Sequence, residues 1–162
     1  MKKILLLLLI VLPIYIAFNL YFLDKDYFLC PIEYKGGILI RNDSMGDGFF
    51  GAARSGNRMH NGLDLLADIG TPVLASRSGK VLAARSTRGM GNYILIAHPE
   101  NLTTLYGHLS AIYVKEGDYV RQGDFIGRVG KTGNANHNTI LPHLHFEVKK
   151  DSLPQDPMEY LE

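Results

Sequence analysis

The chain has 162 residues, room for one domain and an appendage, and a formal net charge of +1. From Gly36 onward thirteen Lys and Arg balance thirteen Asp and Glu, which argues against nucleic-acid binding driven by phosphate attraction. A single cysteine, Cys30, rules out an intramolecular disulfide.

Met1-Lys2-Lys3 opens the chain, and residues 4–23 are almost wholly apolar. Twenty helical residues span roughly 30 Å, the thickness of a bilayer's hydrocarbon core. The segment 1–23 is therefore expected to be a transmembrane helix or uncleaved signal, with Pro13 and Asn19 tolerated inside it. A cleaved signal peptide is the competing reading, but no small-x-small site ends the segment: Tyr15 stands two residues before Ala17. Lys2 and Lys3 should stay in the cytoplasm, sending the remainder across the membrane. Residues 24–37, mixed in charge and containing Pro31, read as a short linker, with Cys30 an isolated thiol in it.

The domain is expected over residues 38–162. Seventeen glycines and many short apolar runs point to a β-rich, turn-rich architecture. Ile38-Leu39-Ile40 reads as a first strand, and Asn42 to Gly48 as a loop. Val73-Leu74-Ala75 and Lys80 to Ala84 read as strands hinged at Ser78-Gly79, and Arg85 to Gly91 as a polar loop. Asn92 to Ala97 is a strand apolar on both faces, so both should be covered. His98-Pro99-Glu100-Asn101 is a hairpin turn, and a short terminal turn is expected after Val148. His98 and His137 sit in turn-like, polar surroundings that give them no functional role.

The chemistry gathers in three segments. In Pro142-His143-Leu144-His145-Phe146-Glu147-Val148 the period of two puts Leu144, Phe146 and Val148 on one strand face and His143, His145 and Glu147 on the other. Two imidazoles side by side suit a metal better than a core. In His60-Asn61-Gly62-Leu63-Asp64 the spacing of four places His60 and Asp64 on one face, and Asn61 and Gly62 favour strand over helix. His108 closes Thr104-Leu105-Tyr106-Gly107-His108, where Thr104, Tyr106 and His108 should share a face and Tyr106 is a candidate for either the cleft or simple packing. A catalytic zinc takes three protein ligands and leaves one position open. His60, Asp64 and one of His143 and His145 would supply them; spacing alone does not choose between the two histidines.

These three segments resemble the signature segments of the lysostaphin-type (LytM-type) zinc endopeptidases of bacterial peptidoglycan. The similarity extends over most of the chain after about Gly37. It implies an all-β domain, mainly antiparallel and sandwich-like, holding one Zn2+ on His60, Asp64 and His145. It implies that His108 and His143 are the catalytic pair beside the metal. It further implies a substrate among peptidoglycan peptides, whether stem cross-links or bridges. With the N-terminal segment it suggests a single-pass protein of the bacterial cytoplasmic membrane whose domain works in the periplasm or outside. Secretion after cleavage is the alternative, and envelope or secretion-machine proteins are candidate partners. The Lys131–Leu141 segment is longer than the family pattern and sits beside the site. Inactive members of the same fold bind cell wall or activate other hydrolases, but typically lack some ligands; all five positions are filled here. A biotinyl-carrier reading of the Gly117–Gly123 turns fails for want of a modifiable lysine at a hairpin tip.

Overall fold

The computed structural model describes residues 9–16, 24 and 27–161. Residues 9–16 are helical and exposed. The rest of the expected span over 1–23 lies outside the described residues, among which no helix is long and apolar enough to cross a membrane.

The body is built from short strands. Four lie in two small hairpins, β1 (Asn42–Asp43) with β2 (Gly46–Asp47), and β3 (Ala53–Arg54) with β4 (Arg58–Met59). Then follow β5 (Leu63–Leu66), β6 (Pro72–Leu74), β7 (Gly79–Thr87), β8 (Gly91–Ala97) and β9 (Leu102–Leu109). The series ends with β10 (Ala111–Ile112), β11 (Tyr119–Val120), β12 (Phe125–Arg128), β13 (His143–Lys150) and β14 (Leu153–Gln155).

The large sheet runs β11-β7-β8-β9-β13-β14. β5 joins the first half of β13 on the side where β14 joins its second half. All its pairings are antiparallel, as expected. A smaller sheet, β10-β12-β6, covers one face. Its Val73 and Ile126 share one buried cluster with Val81, Ile94, Ile96, Tyr106, Leu144, Phe146 and Val148 of the large sheet. The alternation read from the His-x-His segment thus becomes the two faces of a sandwich, core inward and histidines outward. The other face of β8 is covered in part: Tyr93 packs with Ala83 and Leu105 in a second, smaller cluster.

Several expectations need correction. Residues 24–37 do not all behave as a linker: Phe28 and Ile32 are 3% and 2% exposed and belong to the main core. Phe28 bridges to Leu161 and donates its N–H to the Tyr160 carbonyl, and the Pro31 carbonyl accepts from Leu74 N–H. The charges of this stretch masked two apolar residues four apart. Phe28→Ala is expected to cost roughly 3–5 kcal/mol of unfolding free energy, read from a urea midpoint. A cost below about 1 kcal/mol would mark the segment as a linker after all.

Ile38–Ile40 forms only a single bridge, Ile40 to Leu65. The Arg85–Gly91 loop shrinks to residues 88–90, because β7 continues pairing through Thr87 with Gly91. Its polar side chains point to solvent while the backbone stays in the ladder, which side-chain polarity cannot reveal. After Val148 the chain adds β14 and a 3-10 turn, Pro157–Glu159, capped by Asp156 accepting from Met158 N–H. The hairpin turn at His98–Asn101 is present, with Glu100 and Asn101 both at positive φ.

Candidate metal centre

β13 is the frame of the site. Asp64 of β5 lies directly opposite His145, and opposite residues of an antiparallel pair share a face. That register brings His145 Nδ1 to 2.8 Å from Asp64 Oδ1. His60 arrives just ahead of β5, its Nε2 3.1 Å from Asp64 Oδ1 and 3.1 Å from His145 Nδ1. Gly62 lets this segment pass against β13: a Cβ there would sit 2.4 Å from the Phe146 carbonyl oxygen.

The other polar atoms of these three side chains are already engaged. His60 Nδ1 lies 2.8 Å from the Phe49 carbonyl, which can only accept, so Nδ1 holds the proton and Nε2 turns its lone pair inward. His145 Nε2 is held in the same way by Glu147 Oε1 at 3.1 Å. Asp64 Oδ2 accepts from Arg41 Nε and Nη2 at 3.2 and 2.9 Å and from Arg54 Nη2 at 3.3 Å, leaving Oδ1 for the imidazoles. Two imidazole nitrogens and one carboxylate oxygen therefore converge, all from buried residues and all within 4.8 Å of one another. This donor set fits a zinc ion with one position left open.

The charges agree. Burial opposes ionisation of Asp64, but the hydrogen bond from His145 and the charge of that imidazole outweigh it and hold the carboxyl far below its usual range. Burial likewise opposes a charge on His145, yet hydrogen bonds to Asp64 and Glu147 raise it to about 9. Without a metal His145 is thus protonated at pH 7, its Nδ1–H donating to Asp64. A cation must displace that proton, so zinc binding at pH 7 is expected to release at least about one proton per ion. Calorimetry in two buffers of different ionisation enthalpy measures this, and zero release would contradict the ligand role of Nδ1.

His108 reaches the site by a departure from strand geometry. Tyr106 pairs with Phe146 and Gly107 with His145, so regular alternation would turn residue 108 toward the core. Instead His108 has φ +62°, in the left-handed region that few non-glycine residues occupy. Its ring lies 5.1 Å from that of His143 and 5.7 Å from that of His145. The shared face expected for Thr104, Tyr106 and His108 is therefore corrected. Tyr106 is fully buried, its hydroxyl between Ser76 N–H and Thr104 Oγ1, and packs in the core rather than the cleft.

His108 Nδ1–H donates to the Thr132 carbonyl at 2.9 Å, and His143 Nδ1–H to the Leu141 carbonyl at 2.7 Å. Neither Nε2 has a hydrogen-bond partner among the described residues, and that of His143 lies 3.7 Å from Asp64 Oδ1. Burial, together with the charge of His145, pushes His108 down to about 3; burial also lowers His143. Both rings are neutral at physiological pH and able to accept a proton.

Comparison with known proteins decides the family: the model described as Peptidase family M23 matches residues 58–157. The chain belongs to peptidase family M23. Over 101 residues, 62% of its length, it is 42% identical to the DD-carboxypeptidase/endopeptidase Mpg of Neisseria meningitidis. A zinc-containing peptidase from Vibrio cholerae superposes with TM-score 0.67 at 34% identity, over 83% of this chain and 40% of that one. The catalytic domain of lysostaphin from Staphylococcus simulans gives 0.60 at 37%, over 74% of this chain and 91% of that one. The chain spans only 22% to 36% of the first curated relatives it matches.

In this M23 chain the centre lies in a groove of about 710 Å³. Its lining includes Arg54, Ser55 and Arg58 of the β3–β4 hairpin, Met90, and Asn134 and Ile140 of the Lys131–Leu141 segment. That segment is pinned by Asn134 N–H to the Gly89 carbonyl and includes a 3-10 turn, Gly133–Ala135. His98 is buried between Ser78 and Thr104, and His137 is exposed; neither belongs to the centre.

Two contributors were not legible as such. Arg41 is buried between Asp43 and Asp64, and no spacing tied it to the His60 segment. Glu147 was visible on the histidine face, two residues after His145, but its grip on Nε2 was not. Burial opposes its charge, and hydrogen bonds from His145 and Lys149 outweigh this and lower it. Glu147→Gln is expected to weaken zinc binding about 10–100-fold with the fold retained, measured by competition with a chelator. Unchanged affinity would remove Glu147 from the account.

Proposed function

We propose that the chain is a zinc metalloendopeptidase that hydrolyses peptide bonds in bacterial peptidoglycan. The observation that carries this reading is the convergence of His60 Nε2, Asp64 Oδ1 and His145 Nδ1 beside two neutral histidines in an open groove. The Neisseria relative is a DD-carboxypeptidase/endopeptidase and the Vibrio structure is that of a zinc-containing peptidase, which supports both halves of the proposal.

His60, Asp64 and His145 would hold the ion. When bound, it supplies a Lewis acid that polarises a carbonyl and brings the pKa of a water to roughly 7. Asp64 offsets part of its charge, and Arg41 and Arg54 fix the carboxylate so that Oδ1 faces inward. His108 and His143 divide the remaining work. One takes the proton of the attacking water at Nε2; the other stabilises the oxyanion once a proton taken up on its own Nε2 makes that nitrogen a donor. Their Nδ1–H bonds to backbone carbonyls hold both rings in the orientation this requires.

The exposed apolar residues 9–16 suit a membrane anchor. The body begins to pack by Phe28, which would keep the enzyme close to the membrane surface and suit local wall remodelling beside an envelope assembly. The test is turbidity loss of purified peptidoglycan by the full chain. It is expected to vanish on chelation and return on adding zinc; turbidity loss indifferent to chelation would overturn the proposal.

A further inference from the structure

The β3–β4 hairpin sets Arg54 and Arg58 directly opposite each other, so both guanidinium groups leave the hairpin on one side, toward the groove. Like charges in that position are unfavourable. Arg54 relieves the cost by reaching Asp64 Oδ2. Arg58 does not: its Nε–H donates to the Ser55 carbonyl at 3.2 Å, and its two terminal amino groups have no protein partner among the described residues. The hairpin tip is shaped for this display, with Gly56 and Asn57 at positive φ.

Among the described residues the groove leaves no acid free to neutralise it. Its acidic lining is Asp64 and Glu147. Asp64 is engaged by two arginines and two imidazoles, and Glu147 by His145 and Lys149. A guanidinium fork open on a groove wall matches a carboxylate in shape and charge.

We infer that Arg58, backed by Arg54, forms a carboxylate-binding subsite that selects peptides with a free carboxylate close to the scissile bond over neutral peptides. This rests on the peptidase reading above. It makes the preferred substrate an acid-bearing stem-peptide cross-link and not a glycine bridge, which carries no side-chain charge.

The probes are two cross-linked stem-peptide dimers, one with its side carboxylates free and one with the same groups as primary amides. The amide keeps size and hydrogen bonding and removes the charge. The zinc-loaded full chain is expected to favour the acid by about tenfold or more in kcat/KM, with the preference shrinking as salt rises. In Arg58→Gln the ratio should fall toward one through loss of the acid substrate, with cleavage of the amide little changed. Equal rates for the two dimers in the parent chain, or a ratio untouched by Arg58→Gln, would overturn the inference. Binding of the same dimers, followed by calorimetry, separates this failure from that of the peptidase reading. An acid preference in binding that depends on Arg58, without turnover, would sink the hydrolase and leave the subsite standing.

Discussion

A His145→Ala chain is expected to retain no zinc through purification and to show no hydrolysis above background. His145 is the hinge of the centre: Nδ1 faces Asp64 Oδ1 and His60 Nε2, and Nε2 is held by Glu147. Its loss would take away one of the three proposed ligands and the anchor of the other two. The fall in zinc affinity should exceed the roughly 100-fold that loss of an outer hydrogen-bond partner can cost. Two buried carboxylates also lose their shared cation, so stability will drop and folding must be checked by circular dichroism. Asp64→Asn keeps the volume and gives an independent reading. A His145→Ala protein that is folded and holds one zinc per chain would break the ligand assignment.

His108→Ala is expected to do the opposite, keeping zinc at about one per chain while turnover falls by roughly 10²–10⁴-fold, the range for removing a positioned proton-transfer group. His143→Ala should match it. Neither Nε2 belongs to the converging set, and both rings are anchored to backbone carbonyls instead. The φ of +62° at His108 adds a second expectation. A glycine there relaxes the backbone, so His108→Gly should cost less stability than His108→Ala while losing turnover equally. Full activity in His108→Ala would remove it from the mechanism; loss of zinc would make it a ligand.

Much of this centre was legible because strands have an exact period of two in their side chains. Leu144, Phe146 and Val148 fixed which face of β13 carries the histidines, and the spacing of four put Asp64 on the face of His60. What periodicity could not supply was register. That Asp64 stands opposite His145 and not His143 depends on how β5 pairs with β13, and the resemblance to the lysostaphin-type enzymes had to stand in for it. His108 shows the limit from the other side. Its motif marked it, but alternation gave the wrong face, since a single left-handed residue redirects the side chain. Arg41 and Glu147 were hidden because buried ionic partners look like surface charges in a sequence. The same ambiguity hid Phe28 and Ile32 in a stretch that composition assigned to a linker.

The proposed zinc centre of these five residues would cut peptidoglycan peptides. Its most direct test incubates the zinc-loaded full chain with purified peptidoglycan and reads the soluble fragments by mass spectrometry beside a His145→Ala control. New peptide termini that appear with the parent chain and not with the control are predicted, and their masses name the bond. Intact peptidoglycan after incubation with a folded chain carrying one zinc would contradict the account.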